Sequence, residues 1–350
     1  MNDIKLGNIL VGKNNKPFII AEMSGNHNQS LEKAFLMIDK AVEMGVDAVK
    51  IQTYTADTIT INHNKGLFKI SDKNSLWDGN TLYDLYEKAH TPWKWHKDLF
   101  DYSKKKGILI FSSPFDETAV DFLEELGNPI YKVASFENNH LPLLKKIALT
   151  GKPVIVSTGM ASLAEIEMAV NTLKSNGSKD IILLKCTSSY PASPDNSNIN
   201  TIPELERIFN CVVGISDHTL GLGVSIASVA LGARVIEKHF VLDRKEGGVD
   251  SAFSLEPSEF KMLVDECNIA YQSLGKIKFG HTKSEESSIR FKRSIYVVED
   301  IKAGELFTDK NIRIIRPGDG LNPMLIDVIL GKKSKLDLTR GTPLSWDLLL

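Results

Sequence analysis

Two short apolar runs each end in a histidine: Gly214-Ile215-Ser216-Asp217-His218 and Val235-Ile236-Glu237-Lys238-His239-Phe240. His239 follows His218 by 21 residues, and the stretch between them, Gly221 to Leu231, reads as helical. That spacing fits one strand–helix–strand step, which brings the ends of two parallel strands side by side. Imidazoles converging at the C-terminal edge of a parallel sheet suit a divalent metal with open coordination positions. Either histidine alone reads more simply as a hydrogen-bonded structural residue; the pair at equivalent strand ends points to the metal.

Further polar residues recur where apolar runs end: Glu22, Lys50 and Gln52, Ser112 and Ser113, then Lys132, Ser135 and Glu137. Ser157 and Thr158, Lys185 and Thr187, Ser216 and Glu237 continue the series. One such residue signifies little, but recurrence on nearly every run carries weight. Two lysines among hydroxyls can neutralise a phosphate and a carboxylate together, and two histidines can hold a metal that polarises a carbonyl. The residues therefore point to a metal-assisted reaction on a small anionic, phosphorylated substrate.

The elements that must position them alternate along the chain. Strands are expected at Phe18–Glu22, Ala48–Gln52, Ile108–Ser112, Ile130–Ala134, Val154–Ser157, Ile181–Lys185, Cys211–Ile215 and Arg234–Lys238. Helix-like stretches such as Leu31 to Met44 separate them. Gly45, Gly107, Gly151 and Gly232 follow those stretches as helix C-caps do. Eight β-then-α steps in roughly 275 residues match a (β/α)8 barrel, with a doubly wound open sheet as the alternative. Tyr54 to Pro92 breaks the rhythm and carries His63, Trp77, Tyr83 and Tyr86; it reads as a substrate lid or as a surface excursion packed on its own aromatics. The expected domains are a barrel over 1–282, a linker over 275–288 and a small tail domain over 289–350. A tail of about 60 residues is small for a self-sufficient core.

Composition narrows the class. The chain has 350 residues, 42% hydrophobic and 25% charged, with a net charge of −2. This gives no electrostatic case for nucleic acid. No apolar stretch approaches the ~20 residues a membrane span needs. The first residues lack the layout of a signal peptide. Cys186, Cys211 and Cys267 show no paired spacing and read as buried free thiols, as expected of a cytoplasmic protein.

Several longer motifs occur in order: Ile20-Ala21-Glu22-Met23-Ser24-Gly25-Asn26-His27, Val49-Lys50-Ile51-Gln52-Thr53-Tyr54, Tyr131-Lys132-Val133-Ala134-Ser135-Phe136-Glu137 and Ser157-Thr158-Gly159-Met160, followed by the two histidine motifs. On these the chain resembles the phosphoenolpyruvate-condensing sialic acid synthase family over almost its whole length. The tail, with Arg316-Pro317-Gly318-Asp319-Gly320, resembles that family's antifreeze-like (SAF) domain. Ser75-Leu76-Trp77-Asp78, Leu82-Tyr83-Asp84-Leu85-Tyr86-Glu87, Thr91-Pro92-Trp93-Lys94-Trp95-His96 and Ala134-Ser135-Phe136-Glu137 resemble the pseudaminic acid synthase branch. Cys186-Thr187-Ser188-Ser189-Tyr190-Pro191 does so too, except that the branch typically has asparagine at the position of Ser188.

The resemblance implies a transferase that joins phosphoenolpyruvate to an N-acylated amino sugar and releases phosphate. It implies phosphoenolpyruvate contacts for Lys50, Ser113, Lys132, Ser135, Ser157 and Ser216, and metal ligation by His218 and His239. It places Glu22, Gln52, Tyr190 and Asp250 near the sugar and makes Glu137 a candidate for handling the attacking water. Mn²⁺ or Mg²⁺, with Co²⁺ or Zn²⁺ as alternatives, is the implied metal. A domain-swapped homodimer is also implied, in which Arg316 reaches an acyl group across the interface. Synthesis of N-acetylneuraminate or legionaminate is the alternative activity, and a non-catalytic carbohydrate-binding barrel the distant one; retention of both lysines and both histidines speaks against the last.

Overall fold

A computed structural model describes residues 2–73 and 75–350. The chain forms two compact units, Met1–Gly275 and Lys276–Leu350. In the first, eight parallel strands close into a barrel: β1 (Phe18–Glu22), β2 (Ala48–Thr53), β3 (Leu109–Pro114), β4 (Tyr131–Val133), β5 (Val154–Ser157), β6 (Ile181–Cys186), β7 (Val212–Asp217) and β8 (Val235–His239). Each pairs with its neighbours in chain order, and β8 closes on β1 with His239 opposite Glu22.

Strand alternation explains the interior. Side chains two apart share a face, so β1 turns Phe18, Ile20 and Glu22 inward while Ile19 and Ala21 pack against the helices. The same rule aligns Ala48, Lys50 and Gln52 on β2, Ile155 and Ser157 on β5, and Val235, Glu237 and His239 on β8. These strands thus run from apolar at their start to charged or polar at their end. The apolar layers fill the barrel, and a hairpin of two short strands, Ile4–Leu6 and Ile9–Val11, adds Ile4, Leu6 and Val11 to that core. The outer core lies between strands and helices, among them Leu31–Met44, where Ala34, Met37, Ile38 and Ala41 are buried. Ser30 caps that helix through the Lys33 amide, and Gly45 ends it at φ 75°, a conformation glycine adopts without steric cost.

The Tyr54–Pro92 connection is more structured than its sequence suggests. It contains helices Ala56–Ile59 and Leu82–Ala89 and a 3-10 turn at Gly66–Phe68. The segment expected as a linker is partly helical as well, with a 3-10 helix over Lys283–Phe291. Thr282 and Glu285 start it as a reciprocal capping box, a Thr-x-x-Glu signature that was present in the sequence. In the second unit β9 (Ser294–Val297) pairs antiparallel with β10 (Ile312–Ile315), around a core that includes Ile295, Val297, Ile301, Phe307, Ile312, Ile329, Leu338 and Leu344. The described residues include no helix long and apolar enough to cross a membrane.

One glycine makes the β7–β8 contact possible. A Cβ on Gly214 would lie 2.1 Å from the Val235 carbonyl oxygen and 2.7 Å from Leu184 Cδ2. Backbone cannot yield as a flexible side chain does, so Gly214→Ala is expected to destabilise the fold by about 3 kcal/mol. Urea unfolding checks this; an unchanged midpoint would mean the strands separate at no cost.

Candidate active site

At the C-terminal ends of the strands lies a cavity of about 600 Å³. Its floor is ionic. Lys50 Nζ lies 2.9 Å from Glu22 Oε2 and 3.5 Å from Glu237 Oε1, and donates to Ser113 Oγ at 3.3 Å. Lys132 Nζ donates to Ser157 Oγ at 2.7 Å and to the Val133 carbonyl at 3.1 Å, with Glu237 Oε1 3.8 Å away. Ser216 Oγ donates to the same Glu237 oxygen at 3.0 Å. All four charged groups are buried.

Burial dominates their titration, and the partners decide its outcome. Burial opposes the charge of Lys50, but Glu22 and Glu237 overcome it and raise its pKa. Lys132 has less compensation and stays below the usual lysine value through burial. Burial also raises Glu22, against the pull of Lys50. Glu237 moves the other way: burial would raise it, but Lys132 and Lys50 hold it below the carboxylate range.

The histidines meet above this floor, with ring centroids 5.3 Å apart. His218 Nδ1 lies 2.9 Å from the Thr187 carbonyl oxygen, an acceptor only, so Nδ1 carries hydrogen and Nε2 can offer a lone pair. Burial pulls the His218 pKa down, but the charge of a Cys186 thiolate, its sulfur 3.9 Å from Nδ1, and the Thr187 carbonyl raise it overall. A cation at Nε2 would displace the second proton. Burial keeps His239 neutral, and its Nδ1 lies 3.6 Å from Asp250 Oδ2. No three His, Cys, Asp or Glu side chains among the described residues form a ready-made ion cage. Two imidazoles alone would leave a divalent cation to take its remaining ligands from water or substrate. Glu137 Oε2, Glu237 Oε2 and His239 Nδ1 are buried without a hydrogen-bond partner, as groups awaiting a ligand would be.

The wall facing the ionic floor is largely apolar. Ile59, Ile70, Trp77, Leu82, Leu85 and Tyr86, all from the Tyr54–Pro92 connection, line the cavity. The Trp77 indole donates to the Val249 carbonyl at 2.9 Å, and its ring lies 5.8 Å from that of Tyr190. Tyr190 in turn sits 4.5 Å from the His218 ring.

Of the residues expected from sequence, Glu22, Lys50, Gln52, Lys132, Ser135, Glu137, Ser157, Tyr190, Ser216, His218, His239 and Asp250 line the cavity. Ser113 does not; it stands behind, supporting Lys50 from β3. Arg316 is exposed in the second unit, just after β10. Sequence reasoning missed Glu237 as the link between the lysines, although it shares the inward face of β8 with His239. It also missed Ser24, which donates to Asp250 Oδ2 at 2.5 Å, and Ser188, which donates to Ser135 Oγ at 2.8 Å. Both lie beyond strand ends, where period-two alternation gives no signal.

The NeuB family model matches residues 37–279, and the SAF domain model matches residues 292–350. The chain belongs to the NeuB family. Pseudaminic acid synthase of Campylobacter jejuni is 43% identical over 97% of this NeuB chain and 98% of its own. N,N'-diacetyllegionaminic acid synthase of the same species is 41% identical, over 91% and 95%. N-acetylneuraminic acid synthetase from Leptospira borgpetersenii, crystallised with citrate, has a TM-score of 0.72 at 36% identity, covering 82% of this chain and 95% of that one. The named relatives are thus synthases of sialic-acid type.

Glu137 allows a direct check of the cavity's electrostatics. Burial raises its pKa from 4.5 to about 7. Across that interval the folded chain holds a proton that the unfolded chain releases, so stability falls as pH rises. Glu137→Gln should therefore be the more stable form near pH 8, by on the order of 1–3 kcal/mol, with that advantage gone near pH 4. Urea unfolding at both pH values measures it; a pH-independent offset would contradict the buried acid.

Proposed function

We propose that this protein is a cytoplasmic pseudaminic acid synthase, a transferase that condenses phosphoenolpyruvate with 2,4-diacetamido-2,4,6-trideoxy-L-altrose and water to give pseudaminate and phosphate. The observation that carries the reaction class is Lys132: a buried ammonium facing the cavity, with one shared carboxylate 3.8 Å away and hydroxyls around it. Such a group favours an incoming anion. Lys50 and Lys132, with Ser135, Ser157 and Ser216, would bind the phosphate and carboxylate of phosphoenolpyruvate. Ser113 would act from behind by holding Lys50.

His218 and His239 would hold a divalent cation, Mn²⁺ or Mg²⁺, with Co²⁺ or Zn²⁺ as alternatives. When bound, it supplies Lewis-acid polarisation of the sugar's C1 aldehyde. Glu22, Gln52, Tyr190 and Asp250 would orient the open-chain sugar so that its C1 meets the enol carbon of phosphoenolpyruvate. A carbon–carbon bond forms there; water then adds at the phosphate-bearing carbon and phosphate leaves with its bridging oxygen. Glu137, with a pKa of about 7, suits transfer of the water's proton near neutral pH.

The sugar choice rests on two supports. One is the identity to pseudaminic acid synthase. The other is the apolar wall of Ile59, Ile70, Trp77 and Leu82, which suits a 6-deoxy sugar with two acetamido methyl groups. The legionaminic acid synthase, 41% identical, supports a second reading in which the hexose differs. A swapped homodimer that carries Arg316 to the sugar's amide across the interface completes the proposal.

Phosphate release from phosphoenolpyruvate should depend on the sugar and stop with a chelator; a panel of hexoses identifies the substrate. Release with no sugar on the panel would remove the synthase reading, and undiminished release in chelator would remove the metal. For the tail, mixing Arg316→Ala with His218→Ala chains, each inactive alone, should restore up to half of the sites in verified heterodimers. Tails serving their own barrel would give no rescue.

A further inference from the structure

We infer that the buried ion pair Asp217–Lys238 is a positioning device that fixes the ends of β7 and β8, so that His218 and His239 keep the spacing a shared cation needs. The inference rests on the two-histidine metal site proposed above. Asp217 and Lys238 are direct cross-strand partners, each one residue before a histidine. Alternation turns them out of the barrel as the histidines turn in, and puts Asp217 against Ser225 of the helix Gly223–Ala230. Neither side chain is more than 1% exposed.

The pair grips His218 from both sides. Lys238 Nζ lies 2.9 Å from Asp217 Oδ2 and 2.6 Å from the Thr219 carbonyl oxygen, so its donors reach the two residues flanking His218. Asp217 Oδ1 accepts from the Thr219 amide at 2.9 Å and hydroxyl at 2.7 Å, while Oδ2 also accepts from Ser225 Oγ at 2.6 Å. The carboxylate is fully engaged, with nothing left over for solvent or substrate. A hydrophobic pair of similar volume would hold two strands together as well or better. What the charges add is direction: Lys238 has one place to put its ammonium, and that place fixes the backbone on either side of His218. Direct hydrogen-bond partners of a metal-ligating imidazole typically cost 10–100-fold in metal affinity when lost; for His218 that partner is the Thr187 carbonyl, and Asp217 with Lys238 acts one step further out, through the backbone on either side of the ring.

Cobalt titration of the full chain, read by its visible absorption, tests this without any turnover. Asp217→Asn with Lys238→Met removes both charges together, so neither is left buried alone, and should weaken cobalt binding about tenfold, the lower end of the range for direct imidazole partners, while circular dichroism shows a folded protein. A pair that serves packing alone would lower the melting temperature and leave cobalt affinity unchanged; that result overturns the inference. Should the double variant not fold, Ser225→Ala, which removes one bond to the carboxylate, takes its place, and unaltered affinity there overturns it equally. A wild-type chain that binds no cobalt defeats the two-histidine site, and the positioning role with it; a wild-type chain that binds as tightly as a folded variant defeats the positioning role alone.

Discussion

Lysine and glutamate side chains in the mouth of a closed barrel are sustainable only in combination. Removing a carboxylate or an ammonium from water costs several kcal/mol, and the mutual attraction offsets this when the geometry is close. Lys50, between Glu22 and Glu237, meets that condition; Lys132, sharing Glu237 at 3.8 Å, meets it less well. The floor thus has one satisfied cation and one with spare attraction for an anion. Barrel closure makes this arrangement possible, because β8 pairs with β1 and brings Glu237 into the same layer as Lys50 and Glu22. In an open sheet keeping this strand order those strands would be opposite edges.

That dependence explains what the sequence could disclose. Alternation along each strand was visible, so all eight strands were legible to within a few residues, and with them the inward set Glu22, Lys50, Lys132, Ser157, Ser216, His218 and His239. Gly45 and Gly107 were legible as caps because positive φ after a helix is a local requirement. Glu237 was in view but without a role, since its role comes from two lysines 187 and 105 residues away in sequence, which only closure brings near. Ser113, to which the family resemblance gives a phosphoenolpyruvate contact, stands outside the cavity lining, where its Oγ accepts from Lys50. Ser24 and Ser188 depend on loop paths that no period governs.

The Tyr54–Pro92 connection shows how a wall can be held without being part of the barrel. Gln29, in the turn after β1, donates to the Lys88 and His90 carbonyls at 3.1 and 2.7 Å. His27 accepts from the Gln29 amide at 3.1 Å, which leaves hydrogen on the ring nitrogen facing the Thr91 hydroxyl. His96 Nε2 meets the Thr53 hydroxyl at 2.8 Å, at the end of β2. Burial holds both histidines near a pKa of about 4, so around neutral pH each ring is uncharged and its donor and acceptor sides are fixed. The C-terminal part of the connection, which carries Leu85 and Tyr86, is therefore tied to the same strand ends that carry Glu22 and Gln52. Trp77, ahead of helix Leu82–Ala89, is held differently: it bonds to Val249 in the loop after β8 and packs on Tyr190 in the loop after β6. A ligand resting on Trp77 would thus bear on the loops beside His218 and His239, which joins the apolar wall to the ends of β7 and β8 through contacts no longer than those of an ordinary core.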